Sequence, residues 1–151
     1  MKNIIRKIKI RKFSLSDLKR ILKIEKFSFT MDAYPGNRFK NLFKRHPEGF
    51  WVAEKAGKVV GYIIAYITRG MANFISIAVD PRYRRLGIGK KLVNFMIRKF
   101  KRQGIKKASL EVRTTNRVSI SFFKGLGFKI DKILKGIYRG GADAYRMERE
   151  I

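Results

Sequence analysis

Arg84-Arg85-Leu86-Gly87-Ile88-Gly89 joins residue types that together can hold a phosphate group. Two glycines let the main chain approach a ligand with no Cβ in the way. The segment runs into a stretch where Leu92, Val93, Met96, Ile97 and Phe100 recur at helical spacing. A helix start there aims unbonded N–H groups and the positive end of the helix dipole at one spot. Arg84 and Arg85 add full charges to that cradle. The alternative is a tight strand-to-helix turn that holds nothing.

Such a turn needs a strand before it and a helix after it. Phe74 to Val79 reads as the strand, ended by Asp80-Pro81, and the helix covers about 87–102. Working outward, residues 4–12 alternate isoleucine with lysine or arginine, as a solvent-facing strand does. Ser16-Asp17 caps a helix with Leu18, Ile21, Leu22 and Ile24 on its apolar side and Phe29 just beyond. A breaker-rich loop around Tyr34-Pro35-Gly36 precedes a short helix carrying Phe39, Leu42 and Phe43. Phe50 to Lys55 and Val59 to Thr68 form a hairpin about Ala56-Gly57-Lys58. A strand at Lys107 to Arg113 and a helix from about Asn116 to Gly127 follow. Phe128 to Lys135 and Ala144 to Ile151 close the chain as strands around a glycine-containing loop. That order predicts an α/β (α+β) fold: a mixed, largely antiparallel sheet with helices on its faces.

The 151 residues suit one domain over residues 1–151, with enough apolar content (45%) for a sizeable core. With no cysteine, disulfides and thiolate chemistry are excluded, and a lone histidine, His46, leaves no multi-histidine metal site. No metal is therefore expected. The longest apolar run, Val59 to Ile67, falls short of the ~20 residues a membrane span needs. The N-terminus lacks a signal-peptide core, so a soluble, cytoplasmic protein with no membrane association is expected. The net charge of +26 comes from 37 Lys+Arg against 11 Asp+Glu. It attracts polyanions such as RNA or the ribosome and repels cationic substrates. Its basic residues are spread along the whole chain, so a lineage-wide composition explains it equally well.

Three ordered segments carry a resemblance: Val79-Asp-Pro-Arg-Tyr-Arg-Arg-Leu-Gly-Ile-Gly89, Leu110-Glu-Val-Arg-Thr-Thr-Asn116 and Phe123-Lys-Gly-Leu-Gly-Phe128. Together they resemble the GNAT superfamily of acetyl-CoA-dependent N-acetyltransferases. Leu110 to Asn116 and the ending Lys135 to Met147 are most similar to the protein amino-terminal acetyltransferases, bacterial ribosomal-protein alanine type and archaeal relatives included. The resemblance implies about seven strands with four helices, and acetyl-CoA as co-substrate. Arg84, Arg85, Leu86, Gly87, Ile88, Gly89 and Lys90 would hold the CoA pyrophosphate, and Ile77, Ala78 and Val79 the pantetheine arm. Asn116 and Phe123 would flank the far side of CoA. Glu111 falls at a general-base position. Phe29, Tyr34 and Tyr138 fall in segments that enclose the peptide terminus. One departure stands out: the family usually has tyrosine where this chain has Phe123, and phenylalanine cannot protonate the leaving thiolate. Tyr138 or a water would take over. Ile137 stands where relatives often carry another tyrosine.

The implied chemistry is direct transfer of acetyl to a neutral amine. Peptide α-amines have pKa near 7.7–8.0, against about 10.4 for lysine. A weak base acting through one water suffices for the former, and Glu111 suits that role if burial raises it. The oxyanion is expected at a strand amide near Ile77 or Val79, where the sheet would have to splay. Plainer readings stand beside these. Glu111 could pair with Arg113, Asn116 could simply cap its helix, and Phe122 and Phe123 could be core. Tyr34 and Tyr138 could be ordinary loop aromatics, and Glu25 and Asp143 could pair with cations or contact peptide. Acetylation of a small amine, or a non-catalytic basic RNA- or ribosome-binding adaptor, are the competing functions.

Overall fold

Two turns with left-handed backbone organise the middle of the chain. Ala56 and Gly57 have φ of 50° and 79°, and Arg69 and Gly70 have 53° and 75°. Paired positive φ matches a tight turn to the twist of the strands it joins. The first turn links β2 (Phe50–Lys55) to β3 (Lys58–Thr68), and the second links β3 to β4 (Met71–Val79). The second hairpin was not foreseen, because Arg69-Gly70 lacks the usual asparagine or aspartate. Strand β4 consequently begins three residues before the predicted Phe74.

The computed structural model describes residues 7–28 and 36–151. Phe29 and Tyr34, expected near the peptide, lie outside the described residues. The remaining strands are β1 (Ile8–Lys12), β5 (Lys107–Arg113), β6 (Lys129–Leu134) and β7 (Ala144–Glu150). The helices are α1 (Leu18–Ser28), α2 (Gly36–Arg45), α3 (Ile88–Arg102) and α4 (Arg117–Gly125). The seven strands follow the order β1-β2-β3-β4-β5-β7-β6. Among the described residues β4 and β5 pair in parallel, while β1–β2, β2–β3, β5–β7 and β6–β7 run antiparallel. The mixed, largely antiparallel sheet with four helices agrees with the expectation. No described helix is long and apolar enough to cross a membrane.

Contacts gather into two compact units, Met1–Tyr66 with Ser76–Met96, and Ile67–Ile75 with Ile97–Ile151. In the first, the alternation of β2 and β3 sends side chains to two faces. Val52 pairs with Tyr62 and Trp51 with Ile63. Tyr62 meets Phe39 of α2 at 5.9 Å, whereas Trp51 meets Phe95 of α3 at 4.7 Å, so the two helices cover opposite faces. Val52, Val60, Ile63, Leu92 and Val93 have no exposed surface. His46 stacks on Tyr66 at 3.7 Å, a packing role for the lone histidine.

Gly49, just before β2, shows how close this packing is. A Cβ there would lie 2.2 Å from the carbonyl oxygen of Ala65, which is backbone and cannot swing away. Gly49→Ala is therefore expected to destabilise the protein by about 3 kcal/mol or more. Urea unfolding should show a lower midpoint with an unchanged slope, and an unchanged midpoint would refute the close contact.

In the second unit, Phe74 packs against Phe100 at 6.1 Å and Phe128 at 6.0 Å, and Phe123 reaches Phe128 at 5.5 Å. Buried Leu110, Val112 and Met147 extend this core along β5 and β7.

Candidate active site

The segment from β4 into α3 is built around Asp80. Its amide donates to the Val60 carbonyl at 2.8 Å, holding the strand end to β3. Its carboxylate, on a residue 3% exposed, accepts the Arg82 amide at 2.9 Å and Arg82 Nη2 at 3.0 Å. Arg20 of α1 donates to the same carboxylate and, through Nε, to the Val59 carbonyl at 2.9 Å. Burial by itself would raise the Asp80 carboxyl, but the bonds from Arg82 and Arg20 outweigh it and hold the group well below the usual carboxylate range. Sequence reading took Asp80 only as a strand terminator. The available signal was an Asp-Pro-x step, in which an Asp side chain can cap the turn that follows.

From this anchor the chain runs through the turn at residues 84–90 into α3. Arg84 Nε donates to the Val79 carbonyl at 3.1 Å. Arg85 and Gly87 take φ of 61° and 82°. Left-handed Gly87 beside helical Ile88 turns successive amides inward, a nest that suits an anion. Helix α3 starts at Ile88, and the amide of Lys91 donates to the Gly87 carbonyl at 3.0 Å. The amides of Ile88, Gly89 and Lys90 consequently have no intrahelical acceptor. Arg84, Arg85, Gly87 and Lys90 are exposed at the surface, and Leu86 and Gly89 are half-buried. Ile88 is 1% exposed, so only its amide can serve. Gly61 of β3 lets this assembly close, since a Cβ there would meet the Ala78 carbonyl at 3.1 Å and Ile88 Cγ2 at 3.6 Å. The donor set fits a diphosphate.

The β4–β5 ladder is short. Its pairs are Ala72↔Ala108, Asn73↔Ser109 and Phe74↔Leu110, and then it stops. Residues 75–79 of β4 lie beyond the last of these pairs.

Glu111 is the first β5 residue past the last parallel pair. Ser109, two residues earlier on the same face, is 2% exposed and donates to Asn73 Oδ1 at 2.7 Å. Glu111 itself is exposed, with Arg146 opposite it on β7. Among the described residues no hydrogen bond or ion pair engages its carboxylate, so the alternative pairing with Arg113 is not made. The burial asked of Glu111 is also absent. Arg113 instead lies over the Tyr138 ring, 5.0 Å from its centroid.

Tyr138 sits in the 135–143 loop, which Asp143 ties down. The Asp143 carboxylate accepts the Gly136 amide at 2.9 Å and Lys135 Nζ at 3.2 Å, and its carbonyl accepts the Thr114 amide at 3.1 Å. Asn116 Oδ1 accepts the Ser119 amide at 3.1 Å and so caps α4. Phe123 is 6% exposed, its ring 5.0 Å from Phe122, and belongs to the aromatic core. The structure thus gathers Ile77, Ala78, Val79 and residues 84–90 in the first unit, and Glu111, Asn116, Phe123 and Tyr138 in the second.

A buried carboxylate also emerges that no spacing announces. Glu25 of α1 is 2% exposed and accepts hydrogen bonds from the Tyr62 hydroxyl and, at 3.2 Å, from Ser76 Oγ. Three distant sequence positions supply this cluster, which is why reading along the chain left Glu25 open. No cluster of three or more His, Asp or Glu able to hold a metal occurs among the described residues.

A sequence model of the acetyltransferase (GNAT) family matches residues 15–128. An N-alpha-acetyltransferase of Sulfurisphaera tokodaii is 37% identical over 152 residues, covering 92% of this chain and 90% of its own. The crystal structure of Ard1 from Thermoplasma volcanium superposes with a TM-score of 0.91 at 34% identity, over 96% of this chain and 98% of that one. The ribosomal-protein-S18-alanine N-acetyltransferase from Escherichia coli superposes at 0.82 with 26% identity, over 95% and 94%. The nest at residues 84–90, the family match and these likenesses agree, and the chain belongs to the acetyltransferase (GNAT) family as an acetyl-CoA-dependent enzyme.

Proposed function

We propose that this enzyme acetylates the N-terminal α-amine of proteins or peptides by direct attack on acetyl-CoA within a ternary complex, as one domain over residues 1–151. The observation that carries the reading is Glu111, exposed and unengaged where the β4–β5 ladder ends. A carboxylate in water is a weak base. It can draw a proton, through one water, from an amine of pKa near 8, but not efficiently from lysine. The likeness to proteins named as N-alpha-acetyltransferases supports the same substrate class.

In this reading the amides of the 84–90 turn hold the diphosphate, with Arg84, Arg85 and Lys90 adding charge. Ile77 and Val79 offer main-chain bonds to the pantetheine arm, and an amide of one of them steadies the oxyanion. Asn116 and Phe123 contribute to CoA binding through what surface they leave exposed. Tyr138 contacts the peptide terminus, and its phenol, or a water, returns a proton to the departing thiolate. Much of the acceleration then comes from alignment of the two substrates, so Phe123 does not forbid turnover.

A short peptide beginning with Ser, Ala or Met and carrying an internal lysine is expected to be acetylated once, at its terminus. The same peptide with a blocked terminus should give no product. Transfer to the lysine, or only to free small amines, would overturn the α-amine assignment while leaving the family intact.

A further inference from the structure

Helix α1 is fastened to the end of β4 at two points. Arg20 donates to the Asp80 carboxylate, and Glu25 accepts a hydrogen bond from Ser76 Oγ at 3.2 Å. At about 100° per residue, Arg20 and Glu25 stand on the two flanks of a stripe formed by Ile21 and Ile24, both buried. The later helix residue meets the earlier strand residue, so α1 runs against the direction of β4. Ile77, Ala78 and Val79, assigned above to the pantetheine arm, lie between the two ties.

The tie at Ser76 is a closed triangle. Its hydroxyl and that of Tyr62 both reach Oε1 of Glu25, and the two hydroxyl oxygens stand 3.0 Å apart. Glu25 is 2% exposed and Tyr62 1%, whereas Ser76 is half-buried. A serine hydroxyl on open surface rotates to suit its neighbours, but one held in this triangle has a single orientation. Burying a carboxylate costs free energy that hydrogen bonds must offset, so stability alone is a poor reason to place one here. What the acid adds is geometry. It joins α1, β3 and β4 at the residue just before Ile77.

We infer that Glu25 and Ser76 are positioning residues for acetyl transfer, acting through the main chain of residues 77–79. This role rests on the pantetheine assignment above and is independent of which amine accepts the acetyl group. In that transfer the amine nitrogen bonds the carbonyl carbon, the C–S bond breaks, and the sulfur leaves with the electron pair. Negative charge gathers on the carbonyl oxygen, and an amide of Ile77 or Val79 must point at it. Ser76 sets the near end of that main chain, while the Asp80 amide, bonded to the Val60 carbonyl, holds the far end. Neither Glu25 nor Ser76 exchanges a proton in this step. A misplacement of about 1 Å can cost about 10²-fold in rate, and a strand end tied at both sides prevents it.

The test uses the full-length enzyme with whichever amine, peptide or small, the wild type acetylates fastest. Ser76→Ala removes one oxygen atom and leaves the 84–90 turn untouched. It should lower kcat about tenfold and weaken acetyl-CoA binding about threefold. Binding of ADP, which carries the diphosphate without the pantetheine arm, should stay unchanged by calorimetry. Glu25→Leu should give the same pattern, and joining it to Ser76→Ala should cost less than about twofold more, since both break one tie. Glu25→Gln keeps an oxygen in the place of Oε1 and should restore kcat to within about threefold of wild type across about pH 6.5–8.5. Wild-type kcat in Ser76→Ala would overturn the positioning role, and that variant decides the matter even where Glu25→Leu does not fold. Equal losses for ADP and acetyl-CoA would show general loosening of the fold and overturn it too. Glu25→Gln as slow as Glu25→Leu would place the effect in the carboxylate charge or its proton, against the tie. A wild type that acetylates small amines alone would defeat the α-amine reading and leave each of these comparisons in force.

Discussion

Asp80→Ala is expected to raise KM for acetyl-CoA by about one to two orders of magnitude and to cost about 2–3 kcal/mol of stability. The carboxylate is the one point tying the start of the 80–90 segment to Arg82 and to Arg20 of α1. Without it, Arg20 would remain beside β3, only 23% exposed in its side chain, bonded to the Val59 carbonyl but with no carboxylate to balance its charge. Arg82, 66% exposed, contributes little of that loss because water screens it. The turn would then sample other conformations, and the nest at Arg85 and Gly87 would form at the expense of binding energy. Asp80→Asn keeps an oxygen for the Arg82 amide and should fall between alanine and wild type.

The pH dependence follows from the direction of the shift. The folded-state carboxyl is depressed, so its contribution is complete above the unfolded value near 3.9 and fades as pH falls through and below it. The stability gap between wild type and Asp80→Asn should accordingly be constant from pH 5 to 8 and narrow below about pH 4. Urea melts and calorimetric titration with CoA provide both readouts. A variant with normal CoA affinity and lowered stability would show that Asp80 serves the fold alone.

Glu111→Gln should lower kcat by about two orders of magnitude near pH 7, with KM for acetyl-CoA unchanged. The exposed carboxylate makes no bond that the substitution would break, so no loss of stability is expected. The deficit should shrink as pH rises past 8, because an α-amine of pKa near 7.7–8.0 then sheds its proton unaided. A deficit equal at pH 6.5 and pH 9 would mean that Glu111 acts through its charge, for instance on Arg146 across the ladder, and not as a proton acceptor.

Local pattern carried most of the architecture. The hairpin signal about Ala56-Gly57-Lys58 located β2 and β3 within a residue, and the 3.6-residue recurrence from Leu92 to Phe100 located α3. Gly87 and Gly89 marked the cradle because a backbone that must approach an anion, or take a positive φ, has few other residues to use. Asn116 was read both as a cap and as a cofactor contact, and the structure shows the cap. Phe123 was read both as core and as a site residue, and it is packed among Phe122 and Phe128. Arg69-Gly70 was missed because its turn relies on a strained arginine that no turn statistic favours.

The chain by itself determined the order of elements and the glycine-bearing turn ahead of α3, since each rests on neighbours within a few residues. Tertiary structure decided two things. It set how far β4 and β5 stay paired and left Glu111 exposed just past the last pair. It brought Arg20, 60 residues from Asp80, to the same carboxylate, and joined Glu25 to Tyr62 and Ser76. Burial and pairing across long sequence separations depend on which side chains the fold brings together, and spacing along the chain does not encode that.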